Sequence, residues 1–175
     1  MDENSLVARA RKFAAEAHDG QKRANGVPYV THPEAVVEIL REHGIHDETV
    51  LAAAYLHDVL EDTAVTSGQL VRAFGEDIAG LVEELTNPHA KGASFEEKNE
   101  SLRELARRMS GRAKLVKIAD RIHNLSSKKP TWSVAKQQRY ITATIGLLMA
   151  LQPVPQEGAL LEHRLRDMVT ELLAT

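Results

Sequence analysis

The sequence predicts an all-α fold for this chain of 175 residues. Apolar residues recur at spacings of three and four along most of its length, whereas no stretch alternates convincingly between apolar and polar positions. Capping residues, glycines and prolines divide the periodic segments into helices of ordinary length. Because 43% of the residues are hydrophobic, the chain can bury one sizeable core, and we expect residues 1–175 to form a single helical bundle domain.

The first half of the chain contains four predicted helices. Leu6–Ala17 carries the first apolar stripe, and Ala35–Leu40 carries the second, which ends at Gly44 because glycine commonly follows a helix. Asp47 is a preferred N-cap residue and opens the third helix. The apolar spacing of Ile78–Leu85 predicts the fourth.

The second half contains four more predicted helices, over residues 94–111, 115–125, 131–148 and 160–172. Ser94 and Glu97 form a capping-box pattern that opens the first of them. Thr131 is the expected cap of the long third one, and Pro153 separates it from the amphipathic final helix.

The segment Asp19–Thr31 interrupts the helical pattern. It contains Gly20, Gly26 and Pro28, and it is long for a connection inside a compact helical domain. Its other polar and aromatic residues are Lys22, Arg23, Asn25 and Tyr29. Because loops hold a disproportionate share of binding residues, we interpret this segment as a binding loop rather than a simple connector.

The charge balance restricts the partners that the chain can have. A formal net charge of −3 gives no global basic field, so we expect neither nucleic acid nor a membrane as a partner. An anionic ligand must instead meet locally clustered positive charge. The chain has no cysteine, no signal-like segment and no long apolar run, and we therefore expect a cytoplasmic protein.

The strongest chemical signal is the run HDVLED at residues 57–62, which ends an apolar helix. Helical spacing places His57 above Glu61 and Asp58 above Asp62. An imidazole beside a carboxylate can bind a divalent metal, and an acidic pair one turn later can position or deprotonate a water. The alternative is a helix C-terminus with solvated acids. We favour the metal site because residues 52–56 are apolar and suited to burial.

A second polar cluster lies in the run KIADRIHN at residues 117–124. Its apolar members turn the helix toward the core, and Asp120 and Asn124 share one face, so we expect Asp120 to point inward. A buried carboxylate requires a cation nearby. That cation is either a metal ion or, in the structural alternative, Lys117 or Arg121.

His32 is open to the same two interpretations, because a histidine at a helix start is either a ligand or a satisfied polar residue. Together, His32, His57, Asp58 and Asp120 offer two imidazoles and two carboxylates. This mixture of nitrogen and oxygen donors suits Mn²⁺, Fe²⁺ or Zn²⁺.

Three motifs, taken in order, resemble the successive signatures of the hydrolase domain of RelA/SpoT enzymes. They are QKRANGVPYVTHP at 21–33, YLHDVLEDT at 55–63 and KIADRIHNL at 117–125. The similarity covers roughly residues 6–148, and the chain length resembles that of the small stand-alone alarmone hydrolases. The resemblance implies an HD-type helical domain that removes pyrophosphate from the 3′ position of alarmone nucleotides, (p)ppGpp and (p)ppApp.

The resemblance also implies roles for individual residues. The implied metal ligands, usually of Mn²⁺, are His32, His57, Asp58 and Asp120, and Glu61 and Asp62 match the acidic pair that handles the attacking water. Arg23 matches the residue that lies against the nucleobase and Asn124 one near the sugar. Lys136 and Tyr140 resemble phosphate-side contacts in the small hydrolases, and we expect Lys22, Lys117 and Arg121 to complete a local positive patch for the phosphates. For Lys136 and Tyr140 the alternative is an exposed lysine and a tyrosine at the edge of the core.

Two positions differ from the family's pattern. Asn25 stands where a serine is common, and Ser126 and Ser127 replace a stretch that often contains an arginine. Both positions lie near the expected nucleotide, so the choice of guanine or adenine and the number of 5′ phosphates stay open. Trp132 has no partner in any motif, and we expect it to be a packing anchor.

Three other functions are compatible with the sequence. Another HD phosphohydrolase, such as a nucleotidase or a phosphatase for the 2′ phosphate of NADPH, would act on different substrates. A nucleotide sensor would bind without turnover, and a helical scaffold would bind neither metal nor nucleotide. The intact set of proposed ligands and acids favours the enzyme. The sequence leaves the oligomeric state open.

Overall fold

The computed structural model describes residues 4–23, 25–88, 92–127 and 132–174, and over them it confirms the all-α prediction. The α-helices are α1 (Leu6–Ala17), α2 (Thr31–Glu42), α3 (Glu48–Leu56), α4 (Val59–Asp62), α5 (Ser67–Phe74), α6 (Glu76–Leu85), α7 (Phe95–Ala106), α8 (Gly111–Ser126), α9 (Val134–Ala150) and α10 (Ala159–Leu173). A short 3₁₀ helix at Gln156–Gly158 precedes α10. Within these residues the extended backbone pairs at an isolated antiparallel bridge between Lys22 and Pro28.

Side-chain caps fix where several helices begin. Asp47 accepts hydrogen bonds from the amides of Thr49 and Val50 at 2.8 and 3.3 Å, as its position before α3 predicts. Ser94 and Glu97 form the predicted capping box at the start of α7. These caps satisfy amides that have no partner within their own helix.

The helix boundaries differ from the prediction in several places. Helix α5, which opens with a Thr66–Gln69 capping box, was not predicted. The helix expected to end near Gly111 ends at Ala106, and Gly111 instead begins α8 behind the cap Ser110. Thr131 lies outside the described residues, and α9 begins instead behind Ser133, whose hydroxyl accepts from the Lys136 amide.

The core forms where α2, α3 and α8 pack against one another, with α1 and α6 against α3. Helix α3 is buried on all sides from Val50 to Leu56, which explains why its sequence is apolar without a polar face. Leu40, Leu56 and Ile118 are fully buried, and each contributes about 1.5–3 kcal/mol of hydrophobic stabilisation. No helix of the described residues is both long and apolar enough to cross a membrane.

Candidate active site

The chain breaks its helical path at the HDVLED run. Helix α3 ends at Leu56, His57 and Asp58 form a turn, and α4 begins at Val59, so the run is not the continuous helix that was predicted. The His57 Nδ1 lies 2.7 Å from the carbonyl of Ala54, the acceptor that the Asp58 amide would use in an uninterrupted helix. The turn presents His57 and Asp58 to α2 and α8.

Four side chains from three elements meet at this turn. His32 comes from the first turn of α2 and Asp120 from the middle of α8. The Nε2 atom of His32 lies 3.2 Å from that of His57 and 3.2 Å from Asp120 Oδ1. Asp58 Oδ2 lies 3.1 Å from His57 Nε2 and 3.6 Å from His32 Nε2. Ligands about 2.0–2.2 Å from one ion are separated by distances of this size.

The donor chemistry of this cluster fits a divalent cation. His57 donates its Nδ1 proton to the Ala54 carbonyl, so Nε2 is the ring nitrogen that faces the cluster and, once deprotonated, offers a lone pair to an ion. Two carboxylates face the same point, and both imidazoles are almost fully buried. His32, His57 and Asp58 offer ligand atoms that all lie within 4.8 Å of one another. Buried electron-pair donors facing one point require a positive charge between them.

The pKa values of His57 and Asp120 in the protein without a metal also indicate that the cluster requires positive charge. Burial lowers the pKa of His57, but the charges of Asp58 and Asp120 outweigh it and raise the pKa to about 9. For Asp120, burial raises the pKa, whereas the charges of Lys117, His32 and His57 lower it well below its usual value. The cluster therefore attracts positive charge, either as protons or as an ion.

The acidic pair lies beside the cluster and forms the last two residues of α4. Glu61 Oε2 accepts a hydrogen bond from the Asn87 amide at 3.2 Å. The hydroxyl of Tyr29 donates to Asp58 Oδ2 and lies 3.2 Å from Asp62 Oδ2, so one phenol links both aspartates. Burial, and then the charges of Asp58 and Glu61, raise the pKa of Asp62 above its usual value.

The loop between α1 and α2 is held in a defined shape. Tyr29 stacks on the buried ring of His18, with centroids 4.5 Å apart. Gln21 links His18 to α4. Its Oε1 lies 2.9 Å from His18 Nδ1, and its Nε2 donates to the Asp62 carbonyl at 2.9 Å. Gly26 has φ of 87°, a conformation that glycine readily adopts. The loop is thereby fixed against α4.

A cavity of about 580 Å³ opens above the cluster. Most of the predicted site residues line it: Lys22, Arg23, Asn25, His32, Asp58, Glu61, Asp62, Lys117, Asp120, Asn124, Lys136 and Tyr140. Further lining residues are Tyr29, Asn87, Leu102, Ser127 and Trp132. This volume is within the range of small-molecule sites.

A hydrogen-bonded series links the loop to the cluster. Arg23 donates to Asn124 Oδ1 at 3.3 Å, and Asn124 Nδ2 donates to Asp120 Oδ1 at 2.6 Å. Lys117 Nζ lies 3.7 Å from the other oxygen of Asp120. Asn25 Oδ1 accepts from the Val27 amide at 3.3 Å, which leaves its NH₂ group for other acceptors.

The far wall of the cavity combines aromatic rings with cations. Lys136 Nζ lies 4.7 Å from the ring centre of Trp132, which in turn makes an edge contact with Tyr140. Trp132 was expected to be a packing anchor, and it also lines the cavity. Arg121, expected to meet phosphate, is not among the residues that line the cavity. It lies behind Tyr140, 4.8 Å from the ring centre and almost fully buried, so Tyr140 separates it from the cavity.

A family model described as an HD domain matches residues 10–147 of this sequence, which is more than half of the chain. The matched region contains all of the residues that form the cluster and the acidic pair. The chain belongs to the HD domain family.

Relatives of this HD domain carry names that specify a reaction. The guanosine-3′,5′-bis(diphosphate) 3′-pyrophosphohydrolase MESH1 of Xenopus tropicalis is 40% identical over 143 residues, which cover 78% of this chain and 79% of the relative. The protein of the same name from Mus musculus is 37% identical over 176 residues, which cover 97% of this chain and 96% of the relative. A solved structure described as a metazoan ortholog of SpoT that hydrolyses ppGpp has a TM-score of 0.84, 31% identity and 96% coverage of both chains. The predicted resemblance to RelA/SpoT-type proteins is confirmed.

Several residues that line or lie next to the cavity of the HD domain had no predicted role. Tyr29 was noted only as a loop residue, although its position three residues before His32 places it over the cluster. Asn87 follows the end of α6, where a polar residue carries no distinctive signal, and Ser127, which follows α8, was expected near the nucleotide but without a role of its own. His123, within the third motif, contacts His32. Only the fold could show these contacts.

Proposed function

We propose that this HD domain hydrolyses guanosine 3′,5′-bis(diphosphate) to GDP and pyrophosphate, and its 5′-triphosphate counterpart to GTP and pyrophosphate. The observation that carries the proposal is the convergence of His32, His57, Asp58 and Asp120, beside Glu61, at the base of one nucleotide-sized cavity. The names of the relatives support the substrate class. The adenosine counterpart, (p)ppApp, is a second substrate under this proposal.

His32, His57, Asp58 and Asp120 would hold one divalent ion, and we infer that it is Mn²⁺. Two imidazoles with two carboxylates suit Mn²⁺, and Fe²⁺ or Zn²⁺ are the competing ions. When bound, the ion supplies a Lewis acid that stabilises charge on phosphoryl oxygen and makes water more acidic.

Glu61 and Asp62 orient the attacking water and accept its proton. The water oxygen bonds to the phosphorus next to the ribose, and the bond from that phosphorus to the ribose 3′ oxygen breaks. The 3′ oxygen takes a proton to become a hydroxyl, and pyrophosphate leaves with the oxygen from water. The raised pKa of Asp62 favours it as the proton acceptor, since a base with a pKa nearer neutrality is more effective.

The rest of the cavity orients the nucleotide. Arg23 stacks against the base, and Asn124 contacts the sugar side. Lys22, Lys117 and Lys136 meet phosphate charge, with Tyr140 beside them and Arg121 contributing positive charge from behind. Because Asn25 uses its carbonyl within the loop, its NH₂ group is a donor for N7 of either purine and for O6 of guanine.

Product analysis tests this proposal. The Mn²⁺-loaded protein is incubated in ¹⁸O-water with the guanosine and adenosine 3′,5′-bis(diphosphates), and products are followed by chromatography and phosphorus NMR. We expect nucleoside diphosphate and intact pyrophosphate that carries one ¹⁸O atom. Orthophosphate without pyrophosphate, or cleavage only at the 5′ end, contradicts the proposed orientation. Turnover of only NADPH or 5′-monophosphates would assign a different HD phosphohydrolase activity.

Replacing Arg23 with alanine is expected to raise KM about tenfold or more while kcat changes little. Stacking on a base contributes about equally to the ground state and the transition state, so its loss weakens binding without slowing the bound substrate. Steady-state kinetics with the guanosine substrate measure both constants. Arg164→Ala, an exposed residue on α10, is the matched control. A defect confined to kcat would place Arg23 on the reacting phosphates instead.

Replacing Tyr29 with phenylalanine is expected to lower both kcat and metal affinity about tenfold, with KM nearly unchanged, because Tyr29 donates to the proposed ligand Asp58. The ring still stacks on His18, but Asp58 and Asp62 lose their shared donor, and one such hydrogen bond contributes about 0.5–1.5 kcal/mol. Calorimetry and kinetics separate these effects. Tyr55→Phe removes a hydroxyl from α3 as a control, and equal defects in the two variants would exclude a special role for Tyr29.

A further inference from the structure

His32 contacts a second histidine with the ring nitrogen that faces away from the cluster. Its Nδ1 lies 2.6 Å from Nδ1 of His123, a residue of α8. The ring centres are 4.9 Å apart and the planes differ by only 24°. Each nitrogen therefore projects from its own ring toward the other, nearly within both ring planes. This is the direction in which an imidazole N–H donates and an imidazole lone pair accepts.

The position of His32 fixes the direction of this hydrogen bond. Its Nε2 faces His57 and Asp120, and a nitrogen that binds a metal carries no proton. The ring proton of His32 then lies on Nδ1, which is the donor, and Nδ1 of His123 must accept. Metal-binding histidines almost always donate their second N–H to a partner of this kind.

His123 connects His32 to Ser127, which lines the cavity. If Nδ1 of neutral His123 accepts, its proton lies on Nε2, which is 3.0 Å from the hydroxyl oxygen of Ser127. That oxygen then accepts, and the hydroxyl hydrogen is directed to another group. Ser127 is exposed and lines the cavity together with Lys117 and Asn124.

We propose that His123 and Ser127 form a hydrogen-bond chain, in which metal on His32 turns the Ser127 hydroxyl into a donor for a phosphate or ribose oxygen of the nucleotide. His123 is a positioning residue, since it acts through His32 and Ser127. Ser127 is a substrate-binding residue. The inference rests on the ligand role of His32 in the proposed function, and it predicts that metal and nucleotide bind cooperatively through this chain.

The tautomer of His123 tests the chain directly in the unmodified protein. Long-range proton–nitrogen NMR spectra are recorded on ¹⁵N-labelled protein loaded with Zn²⁺, which is diamagnetic. We expect His123 to carry its proton on Nε2 and a bare lone pair on Nδ1. A proton on Nδ1 of His123, alone or with one on Nε2, overturns the inference.

Variants test the two ends of the chain separately. His123→Phe is expected to weaken metal binding about tenfold, measured by calorimetry, because His32 loses its acceptor. Ser127→Ala is expected to leave metal affinity unchanged and to raise KM for guanosine 3′,5′-bis(diphosphate) about tenfold, because a donor to a charged oxygen is lost. Ser126→Ala is the matched control, since that hydroxyl donates to the Ile122 carbonyl of its own helix.

The outcomes distinguish this inference from the proposed function. Wild-type protein that binds metal and hydrolyses the nucleotide, with Ser127→Ala indistinguishable from Ser126→Ala, overturns the chain and leaves the proposed function intact. Wild-type protein that binds no divalent metal overturns both.

Discussion

Replacing His57 with alanine is expected to remove the divalent metal and to lower turnover by about a thousandfold or more. His57 provides one of four converging donors and is 1% exposed. Its loss leaves three ligands, two of them carboxylates whose charges no bound ion then balances in a buried site. Removal of groups that only support ligands already costs about 10–100-fold, so removal of a ligand must cost more. Asp58→Ala has the same expected effect.

Metal content after dialysis, calorimetric affinity and turnover measure these losses. Because Asp58 is partly exposed and Asp58→Asn keeps the shape of the side chain, this variant separates ligation from packing. Thermal unfolding shows whether each variant is folded. His46→Ala, an exposed histidine between α2 and α3, serves as the control. Full metal occupancy with normal turnover in both the His57 and Asp58 variants would refute the ligand assignment.

The fold was predictable where a local signal determines the structure. The apolar stripe of Leu6–Ala17 and the Asp47 cap specify α1 and the start of α3 through interactions within one or two turns. The boundary at Gly111 was misplaced because glycine commonly follows a helix, whereas here it starts one behind Ser110. The break after Leu56 depends on a side-chain bond from His57 to Ala54, which no periodicity reveals.

In the candidate site, too, the residues marked by local sequence signals were predictable and the contacts between distant segments were not. Residue types at short spacing marked His57 and Asp58 but left His32 and Asp120 with two interpretations each, and the motif resemblance then favoured the ligand role. The fold brings the four side chains together. Contacts between distant segments were not predictable. Tyr29 reaches across to Asp62, and His123 meets His32 from a position 91 residues later in the chain. Such contacts depend on how α2, α4 and α8 pack, and the helical period does not contain that information.

The structure also explains why Arg121 differs from its sequence interpretation. Arg121 was expected among the positive charges that meet phosphate, but successive residues on a helix point in different directions. Asp120 faces the cluster, whereas Arg121 points to α9, where it packs against Tyr140 and lies 3.5 Å from the Thr144 hydroxyl. Its charge therefore acts on the cavity through Tyr140 rather than by direct contact.

Replacing Glu61 with glutamine or Asp62 with asparagine is expected to keep the metal and to lower kcat at least about a hundredfold. The amides preserve volume, but they cannot accept a proton from water, and removal of a positioned acid–base group costs about 10²–10⁴-fold. Neither residue is one of the four proposed metal ligands. Glu61 instead accepts from the Asn87 amide, and Asp62 accepts from the Tyr29 hydroxyl. Metal affinity should therefore stay within about threefold of the wild-type value, far less than the 10–100-fold change that loss of a supporting group causes.

The double variant Glu61→Gln with Asp62→Asn distinguishes a shared role from two separate ones. If both carboxylates act on one water, removal of the second costs much less than removal of the first, because residues that act as a unit are strongly non-additive. Burial and the charges of Asp58 and Glu61 raise the pKa of Asp62, so we expect the larger single loss at Asp62. Single-turnover rates with calorimetric metal affinities measure both. Fully multiplicative losses, or loss of metal in either single variant, would show that these carboxylates do not form one acid–base unit.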